Sequence, residues 1–352
     1  MNETIAAASV WTSWVIVSFP IVVFIILFTV ISNILVIYAI FTYPTLKSCQ
    51  NLLLVSLAIA DITNAIFVMP LNVYWNVNGP WPFNSATCIF HLTSDSFLCT
   101  TSIINLVAIA IDRYWAIYDP INYTYKRTTK LIIIMSVTAW TVGFVITVFP
   151  LITLTFLKVF QWPENACFYP RGYILYVTVG QFILPLIVMS IVYYLIYKAI
   201  RKQLNSRKQK AGNVFVMASH EKSSTSQDTS VEMVEEDSSH LSNQAEPTKH
   251  STDQQNQQVG FVKEREKISI AKERRAVRVL GVVVGVFVAC WAPYFIMDDL
   301  FFFVPSIVDK TPLVIINFIY WLGYFNSACN PIIYTIFNRE FRKAFKKILR
   351  IK

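Results

Sequence analysis

Residues 95–117, "DSFLCTTSIINLVAIAIDRYWAI", are an almost wholly apolar run with a lone acid at its head and an acid–base pair near its tail. Asp95 and Arg113 stand 18 residues apart, about 27 Å on a helix and nearly the apolar thickness of a bilayer. Such a run can cross a membrane, where ionisable side chains are costly and need a reason to persist. The whole chain has the same character. Of its 352 residues 55% are apolar and 14% charged, against about a quarter charged in soluble proteins. Seven long apolar segments lie at roughly 12–42, 50–76, 85–117, 131–155, 172–200, 274–303 and 312–336, each sufficient to span, since about 20 apolar residues suffice. The expected fold is an all-α seven-transmembrane helix bundle. Spans one to five occupy 12–202 and spans six and seven 269–336, with a loop at 203–268 between them and an amphipathic helix at 337–352.

Cations set the expected orientation. Of 30 Lys and Arg, only Lys158, Arg171 and Lys310 fall in the loops on the side of the N-terminus. Residues 1–11 are therefore expected outside and the C-terminus in the cytoplasm. The net charge of +9 follows from this asymmetry, so nucleic acid is not an expected partner. The first eleven residues lack the basic region of a cleavable signal, and the run after them is a full span. Asn2-Glu3-Thr4 is an outward glycosylation sequon; Asn122-Tyr123-Thr124 falls on the cytoplasmic side, where it would not be used.

Of six cysteines, Cys49, Cys99, Cys290 and Cys329 lie within spans or at their cytoplasmic ends. Cys88 and Cys167 sit in outer segments, where oxidation is permitted, so one disulfide between them is expected. The four histidines (His91, His220, His240, His250) are scattered. No metal cluster, nucleophile triad or phosphate loop is apparent, so neither an enzyme nor a resident cofactor is expected.

The stretch 220–258 is polar, rich in Ser, Thr and Gln, and is expected to be disordered. Its basic flanks, 198–210 and 263–279, would extend spans five and six and either anchor them or dock a cytoplasmic partner. The Ser/Thr cluster 223–230 could accept phosphates. At the end of the chain, Phe337, Phe341, Phe345, Ile348 and Leu349 share one helical face opposite Arg and Lys, a pattern suited to an anionic lipid leaflet.

Within the second span Asp61 has no basic partner. Asn33, Ser102, Asn326 and Asn330 are polar at comparable depth, and could complete a sodium site or a purely structural hydrogen-bond network. Pro185, Pro293 and Pro331 interrupt spans and should kink them.

"LAIAD" (57–61), "DRYWAI" (112–117), Trp140, Pro185, "CWAPYF" (290–295) and "NPIIY" (330–334) together resemble the rhodopsin-like G-protein-coupled receptors. The resemblance covers the chain apart from the insert and the first residues. It implies a bundle that promotes nucleotide exchange on a heterotrimeric G protein when an outer ligand binds. By that resemblance Arg113, in Asp112-Arg113-Tyr114, pairs with Asp112 and Glu273 and is released as span six moves out. Tyr193, Pro331 and Tyr334 would support the open form, and Phe287 and Trp291 form the aromatic switch. The Ser/Thr of the loop would meet receptor kinases and arrestin.

Asp95 then resembles the counter-ion of the aminergic branch, with Cys99 a turn beyond it and Trp291, Tyr294, Phe295, Tyr320, Trp321 and Tyr324 as aromatic walls. "DRYWAIYDPINYTYKRT" and the tail look most like octopamine, tyramine, dopamine, serotonin and α2-adrenergic receptors, which suggests inhibitory coupling. The span-five serines of catecholamine receptors are replaced by Val177, Thr178 and Gln181, so a histamine-, acetylcholine- or trace-amine-like ligand is an alternative. Asp298 would either face solvent or take a second positive charge from a dibasic or bulkier amine. An amine transporter would also hold an intramembrane acid and broken spans, but the two halves of the chain show no repeat.

Overall fold

The computed structural model describes residues 2–78, 81–163, 166–224, 277–278 and 281–350. Its helices are α1 (Asn2–Thr42), α2 (Leu52–Phe67), α3 (Met69–Asn78), α4 (Ser85–Tyr118), α5 (Pro120–Lys126), α6 (Thr129–Gly143), α7 (Phe149–Phe156), α8 (Arg171–Val177), α9 (Leu184–Ser224), α10 (Gly281–Phe303), α11 (Leu313–Phe337) and α12 (Arg339–Ile348). Among the described residues six stretches are long and apolar enough to cross a membrane: Ile16–Thr42, Cys49–Val77, Ser85–Tyr118, Thr129–Phe156, Arg171–Gln203 and Gly281–Phe303. The seventh, α11, has the length, at 25 residues, but Asn317, Asn326 and Asn330 dilute its apolar character. These asparagines are buried, so the polarity faces the bundle.

Thr29, Asn33, Asp61, Thr101 and Asn105 are buried within a largely apolar core, whereas Ile31 and Phe24 are each 65% exposed. Apolar side chains thus also cover the outside, as a hydrocarbon solvent requires. The third span, α4, lies at the centre, against α2, α6 and α9, while α1 packs on α2 and α11.

Helix starts follow local chemistry. The Asn84 side chain caps α4 by accepting from Thr87 N at 2.9 Å, and Thr128 caps α6. Asp119 caps α5 with Pro120 at its first position, and Asn338 caps α12. An oxygen there satisfies a backbone N–H that the helix leaves unpaired.

Proline accounts for the interruptions. The chain widens into π turns at Phe144–Val148 and Thr178–Ile183, shortly before Pro150 and Pro185. A proline cannot donate to the carbonyl four residues back, and a wider turn accommodates the ring. Sequence reading anticipated the break at Pro185 but not those before Pro150 and before Pro70, where α2 gives way to α3. By contrast α10 and α11 continue as helix through Pro293 and Pro331.

Helix α1 begins at Asn2 and so includes the stretch 2–11 expected to precede the span. Likewise α9 continues through the basic flank to Ser224, which makes the first part of the 203–268 segment helical. The rest of that segment, with most of the Ser/Thr cluster, lies outside the described residues, as does Glu273 beyond it. At the other end α12 tucks Phe341, fully buried, beneath the Tyr334 ring at 5.7 Å.

Candidate ligand-binding and signalling sites

Cys88 and Cys167 form a disulfide, tying the head of α4 to the segment before α8, as expected. Two residues on, Tyr169 donates its hydroxyl to the Leu92 carbonyl at 2.9 Å. Burial pushes the Tyr169 phenol well above its ordinary range, so it persists as a donor. Sequence reading missed Tyr169; its signal was its nearness to a cysteine already paired with α4.

Beneath this roof lies Asp95. Its Oδ1 accepts from Cys99 Sγ at 3.7 Å. The Tyr324 hydroxyl accepts from Asn72 Nδ2 at 3.5 Å. Among the described residues no Lys, Arg or His forms an ion pair with Asp95. The aromatic side chains expected around it are linked to one another. Trp291 meets Tyr294 edge-on at 5.5 Å, Tyr294 meets Tyr320 at 5.2 Å, and Phe295 stacks on Phe182 at 4.9 Å. Trp321 differs: it packs on Tyr324 at 5.3 Å but joins a cluster with Val22 and Met69, and lines a cleft with Ser18, Asn76 and Asn317.

The fifth span contributes Val177, Thr178 and Gln181, all buried at the π turn. Gln181 Nε2 bonds the Ser96 hydroxyl, and Thr178 donates to Asp299 Oδ1 at 3.0 Å. Asp298 is half-buried, one turn beyond Tyr294 on α10. Sequence reading did not single out Asp299.

Deeper in the bundle, Asp61 accepts from Asn330 Nδ2 at 2.8 Å, from Ser102 Oγ at 3.5 Å and from Ser327. Asn33 reaches the Ser327 carbonyl at 3.2 Å. Asn326 is buried on α11, but the contacts to Asp61 come from Asn330 and Ser327.

At the far end of α4, Asp112 is fully buried and its Oδ2 lies 3.2 Å from Arg113 Nη2. Tyr123 on α5 donates to Asp112 Oδ1 at 2.9 Å, a contact the sequence did not reveal. Burial, and then the Asp112 charge, lift the Tyr123 phenol above its ordinary value. Tyr114 stacks on Tyr118 at 5.5 Å. The hydroxyls of Tyr193 and Tyr334 are buried without a hydrogen-bond partner, and Phe287 packs against Phe182 and the Trp291 layer.

Residues 32–334 match the sequence profile of the 7 transmembrane receptor (rhodopsin family). The chain belongs to that family. It is 40% identical to a probable G-protein coupled receptor, No18, of Amphibalanus amphitrite, over 99% of this chain and 91% of that protein. It is 34% identical to an octopamine receptor of Bombyx mori, over 93% and 87%, and 32% identical to the 5-hydroxytryptamine receptor 1B of Mus musculus, over 98% and 89%. Members of the rhodopsin family are receptors rather than enzymes, and this one is a multi-pass membrane protein. The transporter alternative falls with the match.

Proposed function

We propose that this rhodopsin-family receptor binds a protonated biogenic amine and signals to a heterotrimeric G protein, of the inhibitory class. The observation that carries the reading is Asp95, a carboxylate that accepts from Cys99 and has no ion-pairing cation among the described residues. An uncompensated carboxylate costs several kcal/mol at such a depth, and a ligand ammonium removes that cost while gaining a charge-assisted bond. Relatives named as octopamine, tyramine and serotonin receptors support the same ligand class.

In this reading the N-terminus, glycosylated at Asn2, and the disulfide face outwards, while the cationic loops face the cytoplasm. Arg113 and the basic ends of the fifth and sixth spans meet the G protein, with Glu273 as the restraining partner of Arg113. Ser and Thr of the third inner loop serve receptor kinases and arrestin, and α12 rests on anionic lipid. Asp61, with Ser102, Asn326 and Asn330, holds a sodium ion.

Asp95→Asn keeps the size and removes the charge. Amine binding should weaken by about 2–4 kcal/mol, roughly 30- to 1000-fold, with surface expression retained. A panel of octopamine, tyramine, dopamine, serotonin, histamine and acetylcholine on both forms checks this. An amine that activates both equally removes Asp95 from the role. For coupling class, activation that raises cyclic AMP instead of lowering it refutes the inhibitory assignment.

A further inference from the structure

The first, second and seventh spans leave a cleft of about 340 Å³ between them, at the lower end of ligand-pocket volumes. Phe19 and Val22 of α1, Val73 of α3 and Trp321 of α11 wall it, and the amides of Asn76 and Asn317 line it. Phe19 and Val77 border it while 49% and 39% exposed, so it opens at the surface of the bundle. That surface continues into Ile16 and Phe24, exposed apolar side chains that face hydrocarbon.

The two amides differ in their partners. Asn76 Nδ2 donates to Asn72 Oδ1 at 2.8 Å, and Asn72 Nδ2 continues to the Tyr324 hydroxyl at 3.5 Å. Asn317 is only 7% exposed, yet among the described residues its side chain makes no hydrogen bond. A buried amide without a partner is destabilising, and a bound polar group removes that cost. None of the lining residues is ionisable, so a charged head would enter without compensation. The complementary head is neutral and both donates and accepts, as a hydroxyl does.

Two amides call for two hydroxyls, and a small cleft that opens towards lipid suits a slender chain that leaves through its mouth. A sterol brings one hydroxyl on a rigid fused body. We propose that this cleft binds a monoacylglycerol, a neutral single-chain lipid, with its glycerol hydroxyls on Asn317 and Asn76 and its chain passing Phe19 into the bilayer. Bound there, the head stands at the end of the Asn76–Asn72–Tyr324 line, beside Trp321, which packs on Tyr324 at 5.3 Å.

The test uses the full chain in phosphatidylcholine nanodiscs, with a monoacylglycerol that carries a photoreactive diazirine in its chain. Peptide mass spectrometry should place the label on residues 18–22 and 317–321. Excess unlabelled monooleoylglycerol should remove it, while oleate, charged at the same chain length, and cholesterol should not. Asn317→Leu keeps the size and removes the amide, and should lower labelling about tenfold. Thermal stability should be retained, because that side chain has no hydrogen bond to lose. Val22→Phe fills the cleft from α1, keeps Asn317, and should lower labelling as well. Label spread evenly over the spans, or label undiminished in both variants, overturns the site. Displacement by oleate overturns the neutral head, and displacement by cholesterol overturns the single-chain lipid in favour of a sterol.

Discussion

Tyr123 donates its hydroxyl to Asp112 Oδ1 at 2.9 Å, so the buried carboxylate is held from α5 as well as by its neighbour Arg113 at 3.2 Å. Two groups thus share the stabilisation of one charge. Tyr123→Phe removes one of them and leaves a buried oxygen short of a donor. A charge-assisted bond of this type contributes about 1.5–3 kcal/mol. Thermal unfolding of the purified receptor should shift downward accordingly, with amine affinity unchanged. A stability equal to wild type would show that water replaces the phenol.

Gly323 is a point of close approach between α11 and Trp291. A Cβ there would lie 3.2 Å from Trp291 Cζ3 and 3.3 Å from Cε3. Gly323→Ala should displace the indole and cost about 1–3 kcal/mol, as overpacking does. Trp291→Phe removes the ring atoms in conflict, so the double variant should recover part of the loss. Additive stability changes in that cycle would disprove the contact.

Gly143 lets α6 approach α4. A Cβ would meet Thr101 Oγ1 at 2.6 Å and Thr101 backbone at 3.4 Å. Gly143→Ala should therefore lower surface expression and thermal stability, again by about 1–3 kcal/mol. Thr101→Ala in the same chain should restore much of it, because that hydroxyl has no hydrogen-bond partner to lose. Failure of Thr101→Ala to rescue would place the cost in the backbone approach.

The Cys88–Cys167 bond holds Tyr169 against α4, where its hydroxyl reaches the Leu92 carbonyl. Cys88→Ser, Cys167→Ser and the double variant should lose amine affinity to a similar extent, since each breaks the same bond. Peptide mass spectrometry without reduction should recover the linked pair. Two alkylatable thiols in the native receptor would contradict it.

Asp61 and its donors Asn330, Ser102 and Ser327 form the polar centre of the bundle. If sodium binds there and favours the resting state, added sodium chloride should weaken agonist binding to the wild type more than an equal concentration of a bulky organic cation. Asp61→Asn should abolish the difference. A sodium effect that survives the substitution moves the ion elsewhere.

What the sequence determined by itself is the set of spans, the all-helical class and the positions of the ionisable residues within the membrane. These are local properties: hydrocarbon demands an unbroken run of apolar residues with backbone groups paired inside the segment, and each run is legible alone. The disulfide was legible for a similar reason, from compartment. Which polar side chains meet was left to the tertiary structure, because it depends on how each helix is rotated against its neighbours. Thr178 and Gln181 fall in a π turn, where one extra residue rotates everything beyond it by about 100° relative to a regular helix. No 3.6-residue pattern could announce that Thr178 would find Asp299, at 3.0 Å. Packing likewise set Ser327 on Asp61, turned Trp321 towards the cluster with Val22 and Met69, and brought Tyr123 to Asp112 across a helix end. Spans are written in the order of residues; the site is written in the angles between them.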